Sequence, residues 1–257
     1  YGTYIQGVIG SWTESIPLKL GGFLSRILDQ KKQGKAKSLA QILALSGKPR
    51  ARNFSHLKEI ATLAIIESLL TDDYRKLVHG IDPISHLVEC YERLDRGDIV
   101  NTMLAVDRET FLPDDLLFKI DIATMNHGLE ARSPFLDHHL VEFAAKLPGR
   151  LKLNGWGKKY ILKKSLKDIL PYQVLQRRKR GFDVPVSRWL KGELKDLCRD
   201  TLSGKNLVTE LLKADKLKEM FNDHLAGRQD WGRFFWAVLM LHLWSEAYIK
   251  KGVIIGR

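Results

Sequence analysis

The spacing of apolar residues constrains this chain more than any other feature. Ile60, Leu63, Ile66, Leu69 and Leu70 recur every three or four positions. The same spacing links Ile84, Leu87, Val88 and Leu94, then Leu140, Val141, Ala144 and Leu147, then Trp236, Leu239, Met240 and Leu243. Residues so spaced share one face of an α-helix. Few stretches alternate with period two, and Val253-Ile254-Ile255 is too short to build a sheet. The pattern predicts a mainly α fold of about ten helices. Loops are expected near 31–36, 47–54, 148–158 and 203–207.

Composition removes several classes. With 44% hydrophobic and 28% charged residues, the chain has the make-up of a globular protein, not a disordered one. Two cysteines, Cys90 and Cys198, cannot form a disulfide framework or a Cys-x-x-Cys metal site. A reducing, cytoplasmic compartment is expected. No apolar run reaches the roughly 20 residues that span a bilayer. The longest, residues 234–244, carries His242, follows Arg233 and reads as a buried core helix. Tyr1 is not an initiator methionine and nothing near it resembles a signal peptide, so the chain is expected to begin inside a longer reading frame or after processing.

Positive charge is clustered. The net charge is +12. Residues 150–191 hold 13 basic and 2 acidic side chains, interleaved with Trp156, Tyr160, Phe182 and Trp189. Residues 31–52 hold 7 basic and no acidic ones. A solvated face explains the second cluster. The first, mixed with aromatics, suits a folded surface that meets a polyanion: nucleic acid, anionic lipid or a nucleotide polyphosphate.

The middle of the chain is heavily punctuated. Leu112-Pro113-Asp114-Asp115 reads as a helix start, with proline in the first turn and two acids against the dipole. The helix should pass Leu116, Leu117, Ile120, Ala123 and Met125 and stop at Gly128. Asp115 and Lys119 lie four apart with the acid first, the favourable order for an ion pair. Asp137 is placed to cap a helix from His138 to Leu147. Motifs for zinc hydrolases, nucleophile elbows, dinucleotide folds and P-loops are absent. His138 and His139 are adjacent, hence about 100° apart on a helix and unable to share a metal. Both cysteines read as packing residues.

Residues 112–121, Leu-Pro-Asp-Asp-Leu-Leu-Phe-Lys-Ile-Asp, lead through Ala123-Thr124-Met125 into Leu129-Glu130-Ala131-Arg132-Ser133-Pro134-Phe135-Leu136-Asp137. This run closely resembles the synthetase domain of glutamine-hydrolysing asparagine synthetases and their amidotransferase relatives. The likeness continues through Leu147-Pro148, Lys152, Lys159, Leu162 and Pro171. It extends over Arg178-Lys179-Arg180-Gly181-Phe182-Asp183-Val184-Pro185, similar to the family's K-x-G-F-x-V-P, and over Trp189-Leu190. It is clear over about residues 100–250 and weak before them.

The resemblance implies a reaction. Mg-ATP adenylates the side-chain carboxylate of aspartate, pyrophosphate leaves, and ammonia converts the acyl-adenylate to asparagine and AMP. The ammonia comes from a separate glutaminase domain. Cations aimed at the triphosphate stabilise such a transition state. By resemblance Lys179 is the catalytic lysine facing phosphates and intermediate. Arg178 and Arg180 either add to the field or form a solvated basic loop, and Gly181 permits close backbone approach. Lys119 and Asp121 match the helix lining the family's substrate and nucleotide site, with structural ion pairing the equal alternative for both. Asp114, Asp115, Glu130, Arg132 and Asp137 match too, and are expected to be structural, with Glu130 and Arg132 in a buried network.

The family's S-G-G-x-D-S pyrophosphate loop and its second G-[DE]-G-[SG]-D-E motif are absent, so no metal ligand is expected in this chain. Residues 1–257 are therefore read as the C-terminal part of the synthetase domain, starting just after the nucleotide loops. This would be the helical portion of an α/β adenine-nucleotide hydrolase-like (ATP pyrophosphatase) domain, inactive by itself. Expected partners are ATP, aspartate or a related carboxylate, and ammonia, without nucleic acid or membrane, and a homodimer is left open. Three other readings stand beside this one. A relative could amidate or cyclise another carboxylate, as in β-lactam, peptide or glycan-precursor chemistry. The chain could instead be a basic helical nucleic-acid-binding module, or a catalytically empty relative. The apolar helices around Leu63 and Leu239 are expected to pack against a sheet outside the chain.

Overall fold

Prolines cut the helical pattern into short pieces. Pro49, Pro148, Pro171 and Pro185 each stand at the N-cap of a helix, and Pro113 and Pro134 lie in first turns. A proline ring cannot continue a helix from its N-terminal side but suits its start. In the computed structural model, residues 4, 8, 49–177 and 184–250 are described. Fifteen α segments occur among them, many of one or two turns, where the spacing alone predicts about ten.

Along the chain these are α1 (Arg50–His56), α2 (Leu63–Leu69), α3 (Asp72–Leu77), α4 (Ser85–Leu94) and α5 (Ile99–Glu109). A π turn, Leu112–Leu117, runs directly into α6 (Phe118–Met125). A 3-10 turn (Pro134–Leu136), α7 (His138–Lys146) and α8 (Gly149–Lys152) follow. Strands β1 (Leu153–Asn154) and β2 (Gly157–Lys158) pair antiparallel, Leu153 opposite Lys158. Then come α9 (Tyr160–Ser165), α10 (Tyr172–Gln176), α11 (Val186–Lys191) and α12 (Lys195–Ser203). The described chain ends with α13 (Leu207–Leu211), α14 (Ala214–Leu225), α15 (Gly232–Trp244) and a π turn, Ser245–Lys250. Two loop expectations are thereby corrected. Residues 50–56 are helical, because Pro49 starts a helix there, and 148–158 fold into α8 and a hairpin whose tip uses Gly155 at φ +54°. The break near 203–207 is present, and Asn206 caps α13 in a reciprocal box with Thr209.

The chain divides into two compact units, Tyr1–Lys58 with Ile84–Arg178, and Glu59–Pro83 with Lys179–Arg257. In the first, Phe54, Tyr91, Met103 and Val106 are buried together, with Cys90 and Ala51. Lys58 pairs with Asp107 at 2.5 Å and lies 5.0 Å from the ring centres of both Phe54 and Phe111. Tyr4 donates its hydroxyl to the same carboxylate.

In the second unit the core joins Leu69, Leu190, Cys198, Leu217, Phe221, Phe235 and Leu239. The aromatic rings of Phe221 and Phe235 meet edge-on, 5.0 Å apart. Helix α2 is tied to α13 by the Thr71 N–H to the Leu211 carbonyl and the Lys213 N–H to the Leu69 carbonyl. Leu239 is 1% exposed. Leu239 therefore packs within its own unit, whereas Met240, Leu243 and Trp244 of the same helix, and Leu63 of α2, are exposed.

Exposed apolar side chains also stand in the first unit. The elements from Leu112 to Lys146 bury no residue. Phe118, Ile122, Met125, Leu129, Phe135 and Phe143 are each more than half exposed. No helix among the described residues is long and apolar enough to cross a membrane.

Candidate functional site

The run from Leu112 to Asp137 keeps the expected stop and cap, but Leu112–Leu117 forms a π turn where an α-helix is expected. The π turn passes without a break into α6, where Asp115 accepts from the Lys119 ammonium at 3.4 Å. After Met125 the chain turns through Gly128 at φ +66°, which only glycine adopts without strain. The Gly128 and Leu129 N–H groups close on the Met125 and Thr124 carbonyls, both at 3.0 Å. Asp137 then accepts from the backbone N–H of His139 and Leu140 at 3.0 and 3.3 Å, capping α7.

Each matched residue in this stretch makes a local contact. Asp114 donates its N–H to the Thr110 carbonyl. Glu130 and Arg132 form an ion pair, and both side chains stand mostly in solvent, at 67% and 87% exposure. That corrects the buried network expected of them: the connector carries the pair outward from the surface. Lys119 and Asp121 are both exposed. Two positions apart on a helix, they project roughly 200° from each other, so a ligand held by one is not on the face of the other. His138 and His139 have ring centres 3.8 Å apart, nearer than a 100° separation suggests, because both side chains fold together at the helix start. Among the described residues no group of three or more His, Cys, Asp or Glu side chains could hold a metal ion.

Arg178, Lys179, Arg180 and Gly181 lie outside the described residues. Their flanks are described: α10 ends at Gln176, and Val184 leads through Pro185 into α11.

Two networks had no counterpart in the sequence reading. Asp98 caps α5 through the N–H groups of Val100 and Asn101, and also accepts the Gly149 N–H at 2.7 Å. Asn101 donates to the Leu147 carbonyl at 3.0 Å and accepts from the Lys152 ammonium at 2.5 Å. Desolvation by burial lowers the Lys152 pKa, against the raising influence of Asp98. Leu147, Pro148 and Lys152, matched earlier by pattern, thus fasten the start of α8 to α5. An aspartate before the apolar run Ile99-Val100 was the available cue. The second network, Ser187 with His224 and Asp230, joins positions far apart in sequence and carried no such cue.

The thiols are packing groups. Cys198 is fully buried, and desolvation pushes its pKa up to about 12. Burial also raises the pKa of Cys90.

Comparison with known proteins gives the lineage. The asparagine synthase family matches over residues 12–246. Asparagine synthetase [glutamine-hydrolyzing] 1 of Bacillus subtilis is 36% identical over 152 residues, covering 59% of this chain and 24% of that protein. A putative asparagine synthetase [glutamine-hydrolyzing] of Mycobacterium tuberculosis is 35% identical over 158 residues, covering 61% and 24%. The amidase chry2 of Gibberella zeae is 29% identical over 147 residues, covering 52% and 22%. The chain thus spans about a quarter of the length of the first of these relatives. No solved structure matches. The chain belongs to the asparagine synthase family.

Proposed function

We propose, from that membership, that the whole protein is an ATP-dependent amidotransferase of the glutamine-hydrolysing asparagine synthetase type. It adenylates the side-chain carboxylate of aspartate, and ammonia from a glutaminase domain displaces AMP. This chain supplies the helical C-terminal part of the synthetase domain, the mainly α side of an ATP pyrophosphatase-like α/β unit. The observation that carries the reading is the continuous family match over residues 12–246, which spans the Lys179 motif.

In this reading Lys179 is the catalytic cation. The charge problem of the reaction explains it. A carboxylate attacks a polyanionic phosphate, so a fixed cation beside the phosphates lowers the barrier more than it stabilises the ground state. Arg178 and Arg180 strengthen that field, and Gly181 gives the backbone access. By resemblance α6 borders the site, and since Lys119 and Asp121 lie on opposite faces of that helix, one of the two faces the ligand and the other serves structure. Magnesium neutralises triphosphate charge when bound, and no step is assigned to it through the described residues of this chain. The protein works in the cytoplasm, and a homodimer is compatible with the reading.

The exposed face of α6 and α7 fits the same reading. Large apolar side chains standing in water mark surface meant to be covered. The rest of the synthetase domain is the proposed cover.

A second reading keeps the chemistry and changes the acceptor. The similarity to a protein named as an amidase favours keeping other carboxylates in view.

The test uses the full-length protein. Release of AMP and pyrophosphate should require glutamine or ammonia, ATP and aspartate. Lys179→Ala should cut that release by roughly a hundredfold or more, as for loss of one transition-state cation, while glutamine hydrolysis persists. Release with another carboxylate and not aspartate selects the second reading. No AMP release with any carboxylate overturns both. The 257-residue chain by itself, lacking the S-G-G-x-D-S loop, should release none.

A further inference from the structure

His224 is the one fully buried histidine among the described residues, at 0% exposure, and the proposed reaction does not use it. It sits in the last turn of α14. Its Nδ1 accepts the backbone N–H of Trp231 at 3.2 Å. Its proton is therefore on Nε2, which faces the Ser187 carbonyl at 3.3 Å in the first turn of α11. The ring of Phe221 stacks on it, 6.3 Å centre to centre.

A carboxylate completes the cluster. Asp230 Oδ1 accepts the Ser187 hydroxyl at 2.7 Å and the Gly232 N–H at 2.9 Å. Contact is close: a β-carbon on Gly232 would fall 2.0 Å from Ser187 Oγ and 2.9 Å from its Cα. One imidazole and one carboxylate thus tie together the start of α11, the end of α14 and the start of α15. All three lie in one compact unit.

We infer that His224 is a positioning residue, a neutral ring that latches the start of α15 to the end of α14 and lets it go when it is protonated. The link to function rests on the proposed reading, because the same ring and Asp230 hold Ser187, just past the Lys179 motif.

The physical argument concerns donors. A protonated ring carries N–H on both nitrogens. Nδ1–H would then face the Trp231 N–H, donor against donor. Two charged groups bear on the ring from outside α14. Lys191 of α11 opposes protonation and Asp230 favours it. Asp230 Oδ1 stands 3.5 Å from Nδ1, so the charged ring gains a carboxylate partner there but gives up the Trp231 N–H, while Nε2–H keeps the Ser187 carbonyl. Either way the start of α15 loses its tie to α14. Burial makes the charged ring costly, and it lowers the His224 pKa.

The test reads amide hydrogen exchange over 231–232 in the chain, with 184–191 as internal reference, corrected for intrinsic rates, from about pH 8 to about pH 4. Protection should fall by roughly tenfold or more toward acid in the wild type. In His224→Gln, which keeps one donor and one acceptor but does not titrate, protection should stay flat. An equal acid loss in His224→Gln overturns the latch. Should that variant not fold, imidazole nitrogen NMR of the wild type decides. The expected result is the Nε2–H tautomer near neutral pH, with protonation and loss of protection at the same pH. Protonation of the ring with unchanged exchange overturns the inference. These readouts need no turnover, so failure of the latch and failure of AMP release in the full-length protein are separate results.

Discussion

The carboxylate of Asp98 caps α5 and, 51 residues further on, accepts the Gly149 N–H at 2.7 Å. The approach leaves no room for a side chain: a β-carbon on Gly149 would lie 2.3 Å from Asp98 Oδ1 and 2.8 Å from Val100 Cβ. Gly149→Ala must push α8 off α5, and about 1–3 kcal/mol of stability should go with it, the usual range for overpacking. Asp98→Ala removes a helix cap, about 1 kcal/mol, and leaves the Gly149 N–H unmet, about 1–3 kcal/mol more. Denaturant midpoints of the two single variants and the double variant measure this. Since both act on one contact, the double variant should lose less than the two losses added.

Much of the local structure is legible in the sequence. Asp137 caps α7, Gly128 turns the chain after α6, Asp115 meets Lys119, and both cysteines are buried. Each of these depends on residues within a few positions, where propensity and capping rules operate. What resisted reading depends on partners far away in sequence. The Ser187–His224–Asp230 cluster spans 43 residues, and no periodicity marks it. Apolar spacing gave the helical face of α7 but not its surroundings: Leu140 and Phe143 have the pattern of core residues and stand in solvent. Periodicity reports that a face is apolar, not what covers it. The Lys179 motif was legible by resemblance alone, and its residues lie outside those described.

Cys198 provides a reactivity prediction. Thiolate is the nucleophile toward alkylating reagents, and a fully buried thiol with a pKa near 12 supplies almost none at neutral pH. Iodoacetamide should leave Cys198 unmodified in the folded chain and label it fully in denaturant. Peptide mass mapping of both samples checks it. Rapid labelling of the native chain would show that the α12 core opens locally.

Acid should weaken the tie between α3 and the α13–α14 corner. Lys213 hydrogen-bonds Asp72 at 3.0 Å, and that bond, with the lysine's charge and that of Arg75, lowers the Asp72 pKa from 3.8. A carboxylate with a depressed folded pKa contributes stability above its unfolded pKa, and the contribution is lost as pH falls through the folded value. Lys213→Met should therefore lower the melting temperature slightly at neutral pH and make no difference at strongly acid pH. Because the pair is exposed, added salt should shrink the neutral-pH difference. A gap that persists in acid would assign the effect to packing of the lysine stem.

The outward face of α6 makes the sharpest claim about the fold. Phe118, Ile122 and Met125 lie at i, i+4 and i+7, one stripe of the helix, and their exposures are 63%, 54% and 56%. Burying such a side chain fully is worth about 1.5–3 kcal/mol, so a core position changed to glutamine would forfeit most of that. Here the stripe is already in water. Phe118→Gln, Ile122→Gln and Met125→Gln together should change stability by no more than about 0.5 kcal/mol per site, as for ordinary surface positions. The same triple variant should bind less of an apolar dye and self-associate less, because the sticky surface is gone. Chemical denaturation and light scattering on one sample read the two effects separately. A loss of several kcal/mol would mean that the stripe is core, packed inside the chain's own fold. An unchanged denaturation curve with reduced association would identify it as a surface built to be covered. If the rest of the synthetase domain is the cover, as proposed, the same three substitutions should cost stability in the full-length protein.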